Sequence, residues 1–346
     1  MKTSIGAAIC ACLGMTSLAM AQDLPETTIK VIGNLSSSTQ SKKVETPFWT
    51  GGIQDASGGQ VTAEFRSWDQ LGLKGPEVFG LLSKGGAHVA TAQLGHHSGS
   101  DPINDGNDLA GMSASFDDFA AASEAFFPVL SDYYADKLGL HLISLQSYQS
   151  QVVYCREAFS GLADLKGHRV RTSGASQADF INYIGGVAIN VPFGDVQQSL
   201  EQGVIDCAIT STVGGYTSRW YEGADYIYAL PINFGAGATA ANLEWWNAQP
   251  DSVRTFLTDE LEALSDAMWV QNREEDAMGI ACNTSGPCDL GEPAGMTLVD
   301  FTEADVALRN EAFVAAVLPG WIERCGEVCE GAYDDALASV TGLARQ

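Results

Sequence analysis

The sequence predicts an α/β fold in two lobes, and three observations predict it. β-rich runs alternate with runs of helical pattern from Thr28 onward. The alternation starts afresh after Leu162. A helical stretch of about thirty residues follows Pro250.

In chain order, Thr28 to Gly33 (TIKVIG) is a short β-rich run, and Lys42 to Gln54 reads as helix. Val61 to Arg66 alternates as a half-buried strand does. Glu77 to Lys84 is helical and His88 to Leu94 is the next strand. Phe116 to Leu138 carries an apolar stripe at helical spacing, with Gly139 placed to stop it. Leu140 to Leu145 and Gln151 to Cys155 are strand-like. Such alternation implies a largely parallel sheet. From His168 the pattern repeats: strand to Thr172, helix Ser176 to Ile184, strand Val187 to Val191, helix Gly194 to Gln202, strand Ile205 to Thr210. This block suits a second sheet with its own core. Asn242 to Asn247 carries the chain out of it. Pro250-Asp251-Ser252 then opens a helix running to Ile280. At about 45 Å it outreaches a small domain and suits a brace between two lobes. Glu303 to Leu343 is mostly helical.

The 346 residues allow about two domains. Hydrophobic residues at 45% and charged residues at 18% exclude intrinsic disorder. A net charge of −25 excludes a nucleic-acid binder, which the phosphate backbone would repel. Residues 1–21 read as a secretory signal peptide: Met1-Lys2, an apolar run from Ile5 to Leu18, and Ala19-Met20-Ala21 before the cut. Cys10 and Cys12 lack the small-residue context that lipid attachment needs. No later segment reaches 18 uninterrupted apolar residues, so no direct membrane insertion is expected. The expected location is a bacterial periplasm. Of eight cysteines, six remain after cleavage: Cys155, Cys207, Cys282, Cys288, Cys325 and Cys329. An even number in an oxidising compartment favours disulfides. Zinc is the rival, but paired C-x-x-C knuckles and neighbouring histidines are missing. Local pairs Cys282–Cys288 and Cys325–Cys329 are the simplest arrangement, with Cys155–Cys207 as the third. Pairing between the two C-terminal segments stays open, because a regular helix through Cys325 and Cys329 would resist a bridge.

Catalytic signatures are missing. The sequence has no G-x-x-x-x-G-K-[ST] loop and no G-x-S-x-G elbow. Gly235-Ala236-Gly237-Ala238 lacks the third glycine and the helix of a dinucleotide site, and reads as a close-packed strand or turn. Gly95-His96-His97-Ser98-Gly99-Ser100-Asp101 holds triad residue types as sequence neighbours, whereas triad members meet through the fold. The His96-His97 pair has no third metal ligand in view. No enzyme, cofactor or metal site is expected, and a binding role gains weight.

One stretch carries a resemblance. Asp164-Leu165-Lys166-Gly167-His168-Arg169-Val170-Arg171 is followed by Gly185-Gly186-Val187, Val191-Pro192-Phe193-Gly194-Asp195 and Gly203-Val204-Ile205-Asp206. Together these resemble the substrate-binding proteins of tripartite ATP-independent periplasmic (TRAP) transporters, the DctP-like family. Val31-Ile32-Gly33-Asn34, Gln70-Leu71-Gly72 and the long helix after Pro250 are similar too. Departures are Asp195 for the usual Glu, Cys207 for Gly, and Ile209-Thr210 for Glu-Asn.

The resemblance implies a two-lobed periplasmic-binding-protein fold with a hinge and a ligand cleft between the lobes. Lobe I would hold 22–150 and about 243–346, and lobe II 151–242. It implies an extracytoplasmic solute receptor that delivers a small organic acid to the membrane subunits of a TRAP-type secondary transporter. An ABC-importer receptor is the second reading and a secreted hydrolase the third. Arg171 is the expected carboxylate clamp. Its guanidinium at a strand end, before Thr172-Ser173-Gly174, offers a fork of donors suited to bidentate capture. By position in the family, Asn34, Gln93 and Gln151 would line the cleft and Phe193 would stack on the ligand or fill core. Thr210 and Asn233 would come from the far wall, joined by Tyr154 and Trp68. Few charges beyond Arg171 suggest a monocarboxylate.

Overall fold

The structure is a computed structural model that describes residues 24–342. The signal-peptide expectation, with Cys10 and Cys12, lies outside the described residues. The strands are β1 (Thr27–Gly33), β2 (Val61–Ser67), β3 (Val89–Gln93), β4 (Leu140–Ser147), β5 (Gln151–Cys155), β6 (Arg169–Thr172), β7 (Val187–Asn190), β8 (Cys207–Ser211), β9 (Tyr226–Asn233), β10 (Ala236–Asn242) and β11 (Thr297–Val299). They form two sheets, ordered β2-β1-β3-β10-β4 and β11-β9-β5-β8-β6-β7. Each sheet with its helices is one lobe.

The sheets are mixed, which corrects the expectation of a largely parallel sheet. β1, β2 and β3 are parallel, as are β6, β7 and β8, but β10 and β5 run against their neighbours. The cause is the route of the chain. β4 passes straight into β5, and β9 into β10, through links of two or three residues. Parallel neighbours need a crossover of a dozen or more residues. The parallel strands end at the cleft between the sheets. A strand that has just crossed that cleft starts there, and so must point the other way.

The crossings also redistribute residues between the lobes. Residues 236–242, expected in lobe II, form β10 inside the first sheet, and 297–299, expected in lobe I, form an edge of the second. β10 (AGATAAN) is wholly buried, and its small side chains fit between β3 and β4. The two crossings touch: the Tyr148 N–H donates to the Gly235 carbonyl at 2.8 Å. Gly235 sits at φ +73°, a conformation glycine adopts without strain.

The long helix, Asp251–Asn283, spans 33 residues, or about 50 Å. Ser265 Oγ and Trp269 Nε1 donate to the Leu145 carbonyl of β4. Farther along, Asn283 Nδ2 donates to the Thr212 carbonyl of the second lobe. Gly279 is pressed so close to Thr212 that a Cβ there would sit 2.4 Å from its Oγ1. The expected brace therefore grips both lobes. Phe256, Leu257 and Leu261 of its first half share a buried cluster with Trp49 and Ile53. A larger core continues from Ala90 and Leu142 through Phe234 to Val170 and Phe180, joined by Phe313 and Trp321 of the C-terminal helices.

Among the described residues three disulfides form: Cys155–Cys207, Cys282–Cys288 and Cys325–Cys329. Cys155 and Cys207 face each other in register across β5 and β8. The helix expected to resist a Cys325–Cys329 bridge is broken between them. One helix ends at Cys325, the next starts at Glu327, and Gly326 turns the chain at φ +74° and ψ −155°.

Candidate functional site: a cleft closed around a buried arginine

Strand ends and crossing loops build the site. β1, β3, β6 and β8 deliver Asn34, Gln93, Arg171 and Thr210 to one edge, and the crossings add Tyr148 and Gln151. These residues, with Trp68, His96 and Phe193, line a cavity of about 690 Å³, including its part open to solvent.

Arg171 is the only cationic residue in that lining and is 3% exposed. Its Nε donates to the Val191 carbonyl at 3.1 Å and its Nη1 to the Ile209 carbonyl at 2.8 Å. Phe193 and Trp220 rings lie 6.0 and 5.8 Å from the guanidinium carbon. No carboxylate among the described residues is paired with it. Burial pulls its pKa down to about 10, so it stays charged at neutral pH. An ionised group taken out of water without a counter-ion is costly. Backbone carbonyls fix its orientation, and Nη2 makes no hydrogen bond to a described residue. Arg169, two residues earlier, is different: it is paired bidentately with Asp206 at the far end of the strand.

The structure brings Asn34, Trp68, Gln93, Gln151, Phe193 and Thr210 to the cavity with Arg171. Phe193 is half-buried and also rests on Trp220, so it joins core and cavity wall. The Asn34 amide is already engaged: Nδ2 donates to Gln40 and to the Tyr148 hydroxyl. It therefore sets the orientation of Tyr148 as well as lining the wall. Two expected residues stand apart. Asn233 borders a smaller adjoining space of about 320 Å³. Its amide is held by Asp108 at 2.7 Å and Gln177 at 2.9 Å. Tyr154 is fully buried on the other side of its sheet, its hydroxyl donating to the Thr212 carbonyl and its ring edge-on to Trp220. It lies three residues from Gln151 on one strand, so the two must point to opposite faces.

His96 and Tyr148 also line the cavity and were not among the expected site residues. Tyr148 lies between two predicted strands, at the point where they change sheet; that placement was the available signal. The Gly95–Asp101 stretch forms no nucleophile–base pair. Ser98 Oγ donates to the Gly95 carbonyl, His97 stacks on Phe79, and Asp101 accepts from Tyr133 and Ser100. Among the described residues there is no cluster of three or more metal-ligating side chains, and no helix is long and apolar enough to cross a membrane.

Comparison with known proteins agrees with this architecture. No curated protein matches the chain. Several solved structures share the fold. An extracytoplasmic solute receptor from Bordetella pertussis that binds pyroglutamic acid is 20% identical, with 89% of this chain and 99% of that chain covered and a TM-score of 0.77. A TRAP periplasmic solute-binding protein from Rhodoferax ferrireducens with bound malonate is 16% identical, covering 90% and 99%, with a TM-score of 0.77. A sugar-acid-binding protein from Advenella mimigardefordensis in complex with galactonate is 15% identical, covering 90% and 98%, with a TM-score of 0.77. The family model for bacterial extracellular solute-binding protein, family 7, matches residues 32–317. The chain belongs to the bacterial extracellular solute-binding proteins of family 7.

Proposed function

We propose that the protein is a periplasmic receptor that closes its two lobes over one small organic acid. It then passes the acid, chemically unchanged, to the membrane subunits of a TRAP-type transporter. One observation carries the reading: Arg171 is a buried, charged guanidinium in a cavity with no carboxylate of the described residues paired to it. A ligand carboxylate would supply the missing counter-ion through charge-assisted hydrogen bonds. The similar structures bind pyroglutamate, malonate and galactonate, all acids. With Arg171 the sole cation in the lining, a monocarboxylate fits better than a dicarboxylate. Asn34, Trp68, Gln93, Gln151, Phe193 and Thr210 would contact the remainder of the acid. Residues 1–21 would be the export signal removed after Ala21.

Native mass spectrometry of the purified protein tests this. The expected result is a one-to-one complex with a small acid that is released unchanged on denaturation. Turnover of that acid, or a bound neutral or cationic solute, contradicts it.

A further inference from the structure

We propose that His96 is the first lobe's donor to the ligand, presenting Nε2–H to the same anion that Arg171 holds from the second lobe. The proposal rests on the carboxylate reading above and adds a contact to it.

His96 ends the short helical turn Leu94–His96 that follows β3, and it lines the cavity together with Arg171. Its imidazole makes no hydrogen bond to a described residue. The two ring nitrogens are in different surroundings. Nδ1 is buried without a partner. It is pressed against Gly75, where a Cβ would lie only 2.1 Å from it. Nε2 is not sealed in this way and also lacks a partner, which leaves it as the nitrogen on the cavity side. A buried N–H with no acceptor is costly, so the single proton of a neutral ring belongs on Nε2. The ring is neutral because burial, and after it the Arg171 charge, lowers its pKa to about 4. Its neighbour shows the contrast: His97 is stacked on Phe79 and does not line the cavity.

The ligand side of the geometry asks for such a donor. A carboxylate has about four lone-pair sites. Arg171 and Thr210 line the cavity from the second lobe. The acceptor side turned toward the first lobe needs a donor that adds no second cation, and a neutral imidazole N–H is one. One anion would then bridge both walls, which ties lobe closure to the presence of the acid.

The test uses the full mature chain with ¹⁵N-labelled histidine and arginine, and formate, the smallest carboxylate, as probe. His96→Gln assigns the His96 signals. The expected spectrum of the empty protein at pH 7 is the neutral Nε2–H form. Formate should shift Nε2 and the Arg171 guanidinium with one shared midpoint. Formate should bind about ten-fold or more weakly to His96→Leu, and within about three-fold of wild type to His96→Gln, which keeps a donor. An Nδ1–H form overturns the proposal. So does a titration that moves Arg171 and leaves His96 still, with the carboxylate reading intact. Formate that moves neither group overturns both.

Discussion

Arg171 at the cavity wall and Glu45, bonded to the backbone of the lining residue Asn34, are both buried ionisable groups, and burial acts on them in opposite senses. Arg171 keeps its charge. Glu45 is pushed up to about 7 by burial, although the Asn34 backbone N–H donates to its Oε2 at 2.8 Å. Its folded pKa thus exceeds the ordinary 4.5, and the native state binds the extra proton. The stabilisation is complete below about pH 4.5 and is lost as pH rises through about 7, with a magnitude of order 3 kcal/mol. Asp105 and Asp108, also pushed up to about 7 by burial, act in the same direction. Thermal melts at pH 5.5 and 8.5 should therefore show a less stable protein at the higher pH. Glu45→Gln should keep only part of that difference; an unchanged difference contradicts the assignment. At this scale the sequence is legible where chemistry is unusual. Arg171 stands out as a fork at a strand end. Tyr154 is misread because family position overrides the two-residue period that puts it on the face opposite Gln151. His96 is hidden because its role depends on Gly75, twenty-one residues away in the chain, and no local pattern reports that contact.

Single elements carry the next set of consequences. Gly326 stands in a backbone region that is almost exclusive to glycine, between the helix ending at Cys325 and the one starting at Glu327. Gly326→Ala should cost about 1–3 kcal/mol and lower Tm by several degrees. Non-reducing peptide mapping should also find the Cys325–Cys329 bridge less complete. A variant with wild-type Tm and a full bridge contradicts this account of the break. Cys155–Cys207 closes a loop across a sequence separation of 52. Replacing both by Ala should cost about 4 kcal/mol in the chain-entropy model. Chemical denaturation of the double variant measures it, and a loss below about 1 kcal/mol contradicts the model. Helix and strand periods made most elements readable, from Thr27–Gly33 to the 33-residue helix. The direction of β5 and β10 was not readable. It follows from the chain crossing between sheets, and nothing in the local sequence of β10 says which sheet it joins.

For the whole molecule, two short crossings and one long helix link the lobes around the cavity. Asp276 on that helix accepts from Ser150 at a crossing and from Thr212 in the second lobe. Glu275 beside it accepts from Thr39, Lys43 and Gln149. Adjacent carboxylates thus tie the brace to the first lobe, a crossing and the second lobe, which suits rigid lobes turning about short links. X-ray scattering should show a smaller radius of gyration at saturating ligand, and an unchanged curve contradicts hinged closure. The central claim is that Arg171 supplies the counter-charge for the acid. Calorimetric titration of wild type, Arg171→Ala and Arg171→Lys, with the acid identified by native mass spectrometry and a thermal melt of each variant, tests it most directly. Arg171→Ala should lose about 2–5 kcal/mol, or roughly thirty-fold to several thousand-fold in affinity, while remaining folded. Arg171→Lys should also bind more weakly, because a point charge cannot form both hydrogen bonds. Folded Arg171→Ala that binds within about three-fold of wild type contradicts the claim.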